Sequence, residues 1–482
     1  MTAINQANHF FNQGKIQQAE QLYRQLLQQN PNDINSLWGL GKVGLALNSY
    51  PMARDIFSKC VQMAPQQPAL WLSLAEVHQK LTRYDQAEQA IKKAYQLKTD
   101  FVPSLLALAV FYSESGKYDE ADALLKKLQQ LHPQHIQAFC LQVRIKSVTQ
   151  INQYAKQMLN LLGDNKLPDA QQILLHYAFS DLYHQNKDYQ QAFEHLNQAN
   201  QKQRAKIQFS VKDMQGYFNQ LIASFDAKML ADRPLKSNEA VDSKPIPIFI
   251  VGQPRSGSTL LEQMLIGHSA ISSGGELPFI GGDIAQGLHQ ITGKNYPEAC
   301  RLLQPQHCKE LAAHYLKSLQ NLAPDARYII DKMPANYQSI GLIKMLMPQA
   351  KVIHIRRDPI DVSWSIYRNH FSSPEPYFCS LTEIGQYHHC YERVMAHWQS
   401  VCPQYIHTIA YQDLVNQPQR EISKVLQFCG LDFEEMCLTF SQQQRHISTL
   451  SDVQLRQGIQ TNTAGAWQPY RQHLQPLFDA LK

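Results

Sequence analysis

Apolar residues over the first 135 positions recur at helical spacing, and the whole pattern repeats every 34 residues. Ala19, Ala53, Ala87 and Ala121 are each 34 apart. Tyr23, Phe57, Ile91 and Leu125 follow them by four, the spacing that puts two side chains on one buried helical face. Pro31, Pro65 and Pro133 share one register, with Thr99 in the place between the last two. Gly14 and Gly116 sit at the turn between helices, while Gly41, Ala75 and Ala109 keep the first helix narrow where its partner crosses. Leu37, Trp71 and Leu105 open the units. Each unit predicts a helix pair unable to bury its apolar face alone, so stacking builds one core and exposes a concave groove. Residues 136–172 keep helical patterning without the register, and HYAFSDLYHQNKDYQQAFEHLNQA (176–199) predicts one more unit, with Ala192 at the small position. The helical array spans 1–205, its last unit about 173–205, and a helical connector and polar linker spans 206–244.

From Pro245 the pattern changes. Short apolar runs alternate with helical segments: IPIFIV (246–251), SAISSGGE (269–276), RYIIDKMPAN (327–336), KVIHIRRDPIDVSWSIYRNHF (351–371) and QYIHTIAYQDLV (404–415). Asp358 and Pro359 mark a helix start, and Gly430 closes the helix REISKVLQFCGL. Strands separated by helices predict a parallel, doubly wound sheet with ligands at the strand C-terminal ends.

The chemistry concentrates there. Gly252 and Gly257 bracket four residues after the first strand, and Ser258 and Thr259 open a helix. This is the GxxxxGK[ST] layout, in which loop amides and a helix N-terminus gather anionic oxygens. Ser258 stands where a nucleotide hydrolase has lysine, and the strongest cation, Arg255, lies inside the loop beside Ser256. Arg357 ends another strand, with Ser365 eight residues on. A donor with two separated phosphates needs a second anion site, and the planar guanidinium suits it. Arg356 is the alternative, since neighbours on a strand point to opposite faces.

Residues 1–135 resemble tetratricopeptide repeats, and residues 245–482 resemble sulfotransferases through PRSGST, IRRDPIDVSWS and YQDLVNQP. The pairing is similar to the bacterial repeat-containing branch, and within the superfamily the tyrosylprotein sulfotransferases look nearest. The resemblance implies an N-terminal all-α tetratricopeptide solenoid and a C-terminal α/β, P-loop-like parallel sheet with the sulfotransferase fold. It implies 3′-phosphoadenosine 5′-phosphosulfate as donor and no metal. Arg255, Ser256, Gly257, Ser258 and Thr259 would hold the 5′-phosphosulfate, and Arg357 and Ser365 the 3′-phosphate. Glu276 would be the base, with Arg255 and Lys332 gripping the transferred group. Ser451 and Arg456 are candidates for further phosphate contacts in a late loop. The repeats imply recruitment of a protein or peptide acceptor.

One departure bears on the acceptor. The tyrosylprotein enzymes place an arginine shortly after their glutamate, whereas Leu277, Pro278, Phe279 and Ile280 follow here. A peptide tyrosine, a sugar hydroxyl and a small phenol all remain open. Two other functions compete. An ATP-dependent kinase or hydrolase would use Asp331, at the end of YIID, to hold magnesium, but lacks the loop lysine that contacts the terminal phosphates. A non-catalytic repeat scaffold would have no need of Arg255, Glu276, Lys332, Arg357 and Ser365 together.

Composition adds little. The 482 residues carry a net charge of +5, too mild to imply nucleic acid and compatible with an anionic ligand. The nine cysteines include no CxxC pair and predict reduced core thiols. No basic leader and no run of eighteen apolar residues appears, so the expected compartment is cytoplasmic, with no membrane span. Adjacent His388 and His389 cannot share a helical face and predict no metal site. Trp467 and Tyr470 are expected in the core.

Overall fold

The computed structural model describes residues 2–163, 166–232, 245–371, 375–439 and 465–482. They form two compact units, the first ending at Gly163.

The first unit is a row of helical hairpins. Its helices are Ala3–Asn12, Ile16–Gln29, Ile34–Ala46, Tyr50–Met63, Pro68–Lys80, Tyr84–Leu97, Val102–Glu114, Tyr118–Leu131, Ile136–Arg144 and Gln153–Gly163. The four registered alanines are fully buried, and so, nearly, are the Tyr23, Phe57, Ile91 and Leu125 side chains one turn on. The period has a backbone cause as well as a packing one. Gly14, Asn48, Thr82 and Gly116, each 34 apart, all take a positive φ at the turn inside a hairpin, at 74°, 55°, 55° and 76°. Glycine supplies this conformation freely and asparagine tolerates it, whereas a β-branched threonine is strained there.

The second unit begins with another hairpin, Asp169–Gln185 and Tyr189–Arg204. Ala192 is fully buried at its small position, as the pattern predicts. The hairpin shares its hydrophobic core with the sheet-bearing part of this unit: Ile173, Tyr177, Leu196 and Ala199 belong to one cluster with Tyr367, Tyr387 and Tyr470. Polar contacts reinforce the join. Tyr177 donates to Asn200 Oδ1 at 2.9 Å, Asn200 Nδ2 donates to the Tyr367 carbonyl at 3.0 Å, and Arg204 pairs with Glu383 at 2.9 Å.

Five parallel strands follow: β1 Ile246–Gly252, β2 Ile271–Ser273, β3 Tyr328–Asp331, β4 Lys351–Arg356 and β5 Ile406–Ala410. Their order is β2-β3-β1-β4-β5. The strand β1 is central, and Ile248, Phe249, Ile250 and Val251 are entirely buried, which is why they form an unbroken apolar run. Parallel pairing brings all five C-terminal ends to one edge. The C-terminal segment 465–482 packs into the same core: Tyr470 is buried, its ring 4.4 Å from Trp364, with Trp467 half-buried beside the cluster.

Replacing Thr82 by glycine should relieve the left-handed strain. Chemical denaturation should show the Thr82→Gly chain more stable by about 1 kcal/mol; a lower midpoint would show that the turn is held for another reason.

Candidate active site

The residues Gln253 to Gly257 carry the chain from β1 into the helix Ser258–Leu265. The loop lies against its neighbours too closely for side chains at its ends. At Gly252 (φ +154°) a Cβ would stand 2.5 Å from the Ile355 carbonyl oxygen of β4, and at Gly257 (φ +106°) 2.3 Å from the Tyr411 ring. Arg255 itself adopts φ +68°. Inside the loop, Oγ of Ser256 and Nε2 of Gln253 are buried without a hydrogen-bond partner among the described residues. Two orphaned donors beside a helix N-terminus suit an anion, whose oxygens would satisfy both. Gln253 is also fixed from behind, since His388 Nδ1 donates to its Oε1 at 2.9 Å. Burial pushes the His388 pKa down to about 4, so the ring is neutral.

The second predicted pair converges on the same loop. Arg255 Nε donates to Ser365 Oγ at 3.0 Å. Arg357 lies with its guanidinium 4.5 Å from the Tyr411 ring centre, and its Nη1 approaches the Arg255 carbonyl at 3.5 Å. Arg356 is exposed and spends its backbone in the ladder opposite Ala410, so of the two arginines it is Arg357 that meets the loop. Asp358 caps the helix Pro359–Arg368 by accepting from Ile360 N and Asp361 N, which fixes where Ser365 stands.

A carboxylate cluster lies on the other side of β1. Glu276 follows β2 and Lys332 follows β3; the two pair at 2.6 Å, with Lys332 2% exposed and Glu276 52%. Beneath them Glu262, on the loop helix, is buried with its Oε2 3.9 Å from Lys332 Nζ. Ser273 Oγ donates to the other Glu262 oxygen at 2.5 Å. Burial works against the Lys332 ammonium, but Glu262 and Glu276 outweigh it and hold the pKa above the ordinary lysine value. Burial raises Glu262, with Lys332 and Ser273 pulling it back.

The sequence reading missed four of these participants. Tyr411 opens the segment YQDLVNQP, which does not say what its ring will touch, and Gln253 and His388 are hidden by their distance in the chain. Glu262 did leave a signal, as the one acid in the otherwise uncharged STLLEQML. Ser451 and Arg456 lie outside the described residues. Asp331 is fully buried, accepting from Tyr315 OH at 2.7 Å, and burial pushes its pKa up to about 7. A carboxyl buried in the core and bonded to Tyr315 is poorly placed to hold magnesium on a nucleotide. Among the described residues no His, Cys, Asp and Glu group has metal-site geometry, and no helix is long and apolar enough to cross a membrane. All nine cysteines are free.

Residues 247–435 match the model of the sulfotransferase family, and residues 4–68 and 80–144 match tetratricopeptide-repeat models. The chain therefore joins N-terminal tetratricopeptide repeats to a C-terminal sulfotransferase-family domain. It is 29% identical over 349 residues to an uncharacterized protein of Aquifex aeolicus, covering 71% of this chain and 45% of that one. It is 26% identical over 214 residues to protein-tyrosine sulfotransferase 2 of Gallus gallus, covering 41% of this chain and 54% of that one. The chain thus spans about half the length of these curated relatives. A solved sulfotransferase domain from the Synechococcus olefin synthase aligns with 26% identity and a TM-score of 0.34, covering 47% of this chain and 89% of that one.

Asp331 makes a pH prediction. Its folded pKa lies above the unfolded value, so the folded state keeps a proton that the unfolded chain releases above about pH 4. Its contribution to stability is present below that pH and is lost as pH rises towards about 7. Asp331→Asn should flatten the fall in melting temperature between pH 5 and pH 8; an unchanged slope would place the titration elsewhere.

Proposed function

We propose that this chain moves a sulfuryl group from 3′-phosphoadenosine 5′-phosphosulfate to a hydroxyl acceptor. The observation that carries the reading is the meeting of Arg255, Ser365 and Arg357 at one loop whose buried Ser256 and Gln253 donors have no partner among the described residues. Two anion-binding groups side by side suit a ligand with two separated phosphates better than a triphosphate. The loop amides, Ser256, Ser258 and Thr259 hold the 5′-phosphosulfate at the helix N-terminus. Arg357 and Ser365 hold the 3′-phosphate, with Arg255 between the two sites.

The bound donor supplies an activated sulfuryl group on a phosphate leaving group. Glu276, half exposed at the strand ends, takes the proton from the acceptor hydroxyl as its oxygen bonds to sulfur. The bond between sulfur and the 5′-phosphate oxygen breaks, and its electron pair leaves with the phosphate. Arg255 and the buried Lys332 stabilise the charge that develops there. The likeness to a protein-tyrosine sulfotransferase favours a peptide tyrosine as acceptor, and the repeats recruit the protein that carries it. Leu277 and Pro278, in place of a basic residue after Glu276, favour a less acidic peptide than those enzymes take.

Labelled sulfate should pass from the donor to tyrosine-containing peptides. Glu276→Gln should lower kcat on the order of 10²–10⁴-fold while leaving the affinity for adenosine 3′,5′-bisphosphate unchanged. Retained turnover in that variant would remove Glu276 from the role of base; label reaching only sugars or small phenols would replace the acceptor class.

A further inference from the structure

Lys332 is a buried ammonium with two carboxylates, and the proposed reaction uses only one of them. Glu276 lies at 2.6 Å and is half exposed to solvent. Glu262 lies at 3.9 Å and is almost completely buried. Its position is fixed from both sides. The helix Ser258–Leu265 brings it up from the anion loop, and Ser273 Oγ donates to its Oε1. Ser273 Oγ in turn accepts from Gly275 N at 2.9 Å, and the Gly275 carbonyl accepts from Lys332 N at 2.8 Å. One carboxylate thus ties the loop helix to the turn that carries Glu276 and to the strand end that carries Lys332.

The charge count explains why a second carboxylate is needed. While Glu276 is ionised, it neutralises Lys332. Once Glu276 has taken a proton, Lys332 without Glu262 would be a buried cation lacking a close counter-charge, a state that a lysine escapes by losing its own proton. A neutral amine would no longer stabilise the departing phosphate. We infer that Glu262 is a positioning residue, the standing counter-charge that keeps Lys332 an ammonium and in place through the moment when Glu276 is protonated. The inference rests on the proposed sulfuryl transfer for its purpose, though its physical content concerns the bare protein. The titratable groups acting on Lys332 are Glu262 from the loop helix, Glu276 from the turn after β2 and Asp331 beside it on β3. Asp331, itself raised to about 7 by burial, is the weakest of these partners.

The test uses the full chain without donor. Glu276→Gln imitates the protonated base. With nitrogen-15-labelled lysine, the Lys332 side-chain resonance is identified by its loss in Lys332→Met and followed with pH. In Glu276→Gln alone, Lys332 should remain charged beyond pH 9. In Glu276→Gln with Glu262→Gln, its titration should fall by on the order of two units or more, into the range of buried lysines without a partner. Should that double variant fail to fold, Glu276→Gln with Glu262→Asp withdraws the charge without removing it and should give a smaller shift in the same direction. Equal midpoints with and without the Glu262 change would overturn the inference. Binding of adenosine 3′,5′-bisphosphate to the wild-type chain is scored separately, so failure of the sulfotransferase reading and failure of the Glu262 role give different results.

Discussion

The site depends on how closely the loop after β1 lies against β4 and Tyr411. Backbone can come that near only where no Cβ intervenes, and Gly252 and Gly257 meet that condition at the two points of contact. Once the loop is seated, much else follows. Arg255 reaches Ser365 on the next helix, Arg357 is sandwiched between the loop and the tyrosine ring, and the helix beginning at Ser258 carries Glu262 down to Lys332. Residues following all five strands thereby join one constellation, because parallel pairing has already brought their C-terminal ends to one edge.

The electrostatics divide across β1. On the β4 side two arginines, Arg255 bonded to Ser365 and Arg357 against Tyr411, meet at a loop rich in donors. On the β2–β3 side a single lysine is shared by two acids. Cations that would repel in an empty site become useful when an anion with several oxygens is bound. The paired lysine is of another kind, since its charge is already balanced inside the protein by Glu262 and Glu276; in the proposed mechanism it answers charge that appears during reaction.

Much of this was legible in the sequence, for identifiable reasons. The 34-residue register of Ala19, Ala53, Ala87 and Ala121 reflects a packing need that allows only small residues, so it shows in the letters. The strand before Gly252 shows because a central parallel strand is apolar on both faces. What stayed hidden depends on contacts between distant segments. Nothing near Gln253 announces His388, 135 residues away, and nothing in YQDLVNQP says that Tyr411 will meet Gly257 and Arg357. The helices Asp169–Gln185 and Tyr189–Arg204 have the local pattern of a repeat, and local pattern does not say which core will receive their apolar face. The structure gives that face to the sheet-bearing unit, through Tyr177, Asn200 and Tyr367. Thr82 hid the turn signal that Gly14 and Gly116 carry, because the fold imposes the left-handed conformation on a residue that resists it.

In the proposed function the loop and Arg357 together form a double anion site for a ribose carrying two separated phosphates. Calorimetric titration of the full chain with adenosine 3′,5′-bisphosphate, and in parallel with ATP and magnesium, tests it most directly. Tight binding of the bisphosphate, weak binding of ATP, and a loss of about 1.5–3 kcal/mol in Arg357→Ala for a charged hydrogen bond are expected. Tight, magnesium-dependent ATP binding with no response to the bisphosphate would contradict it.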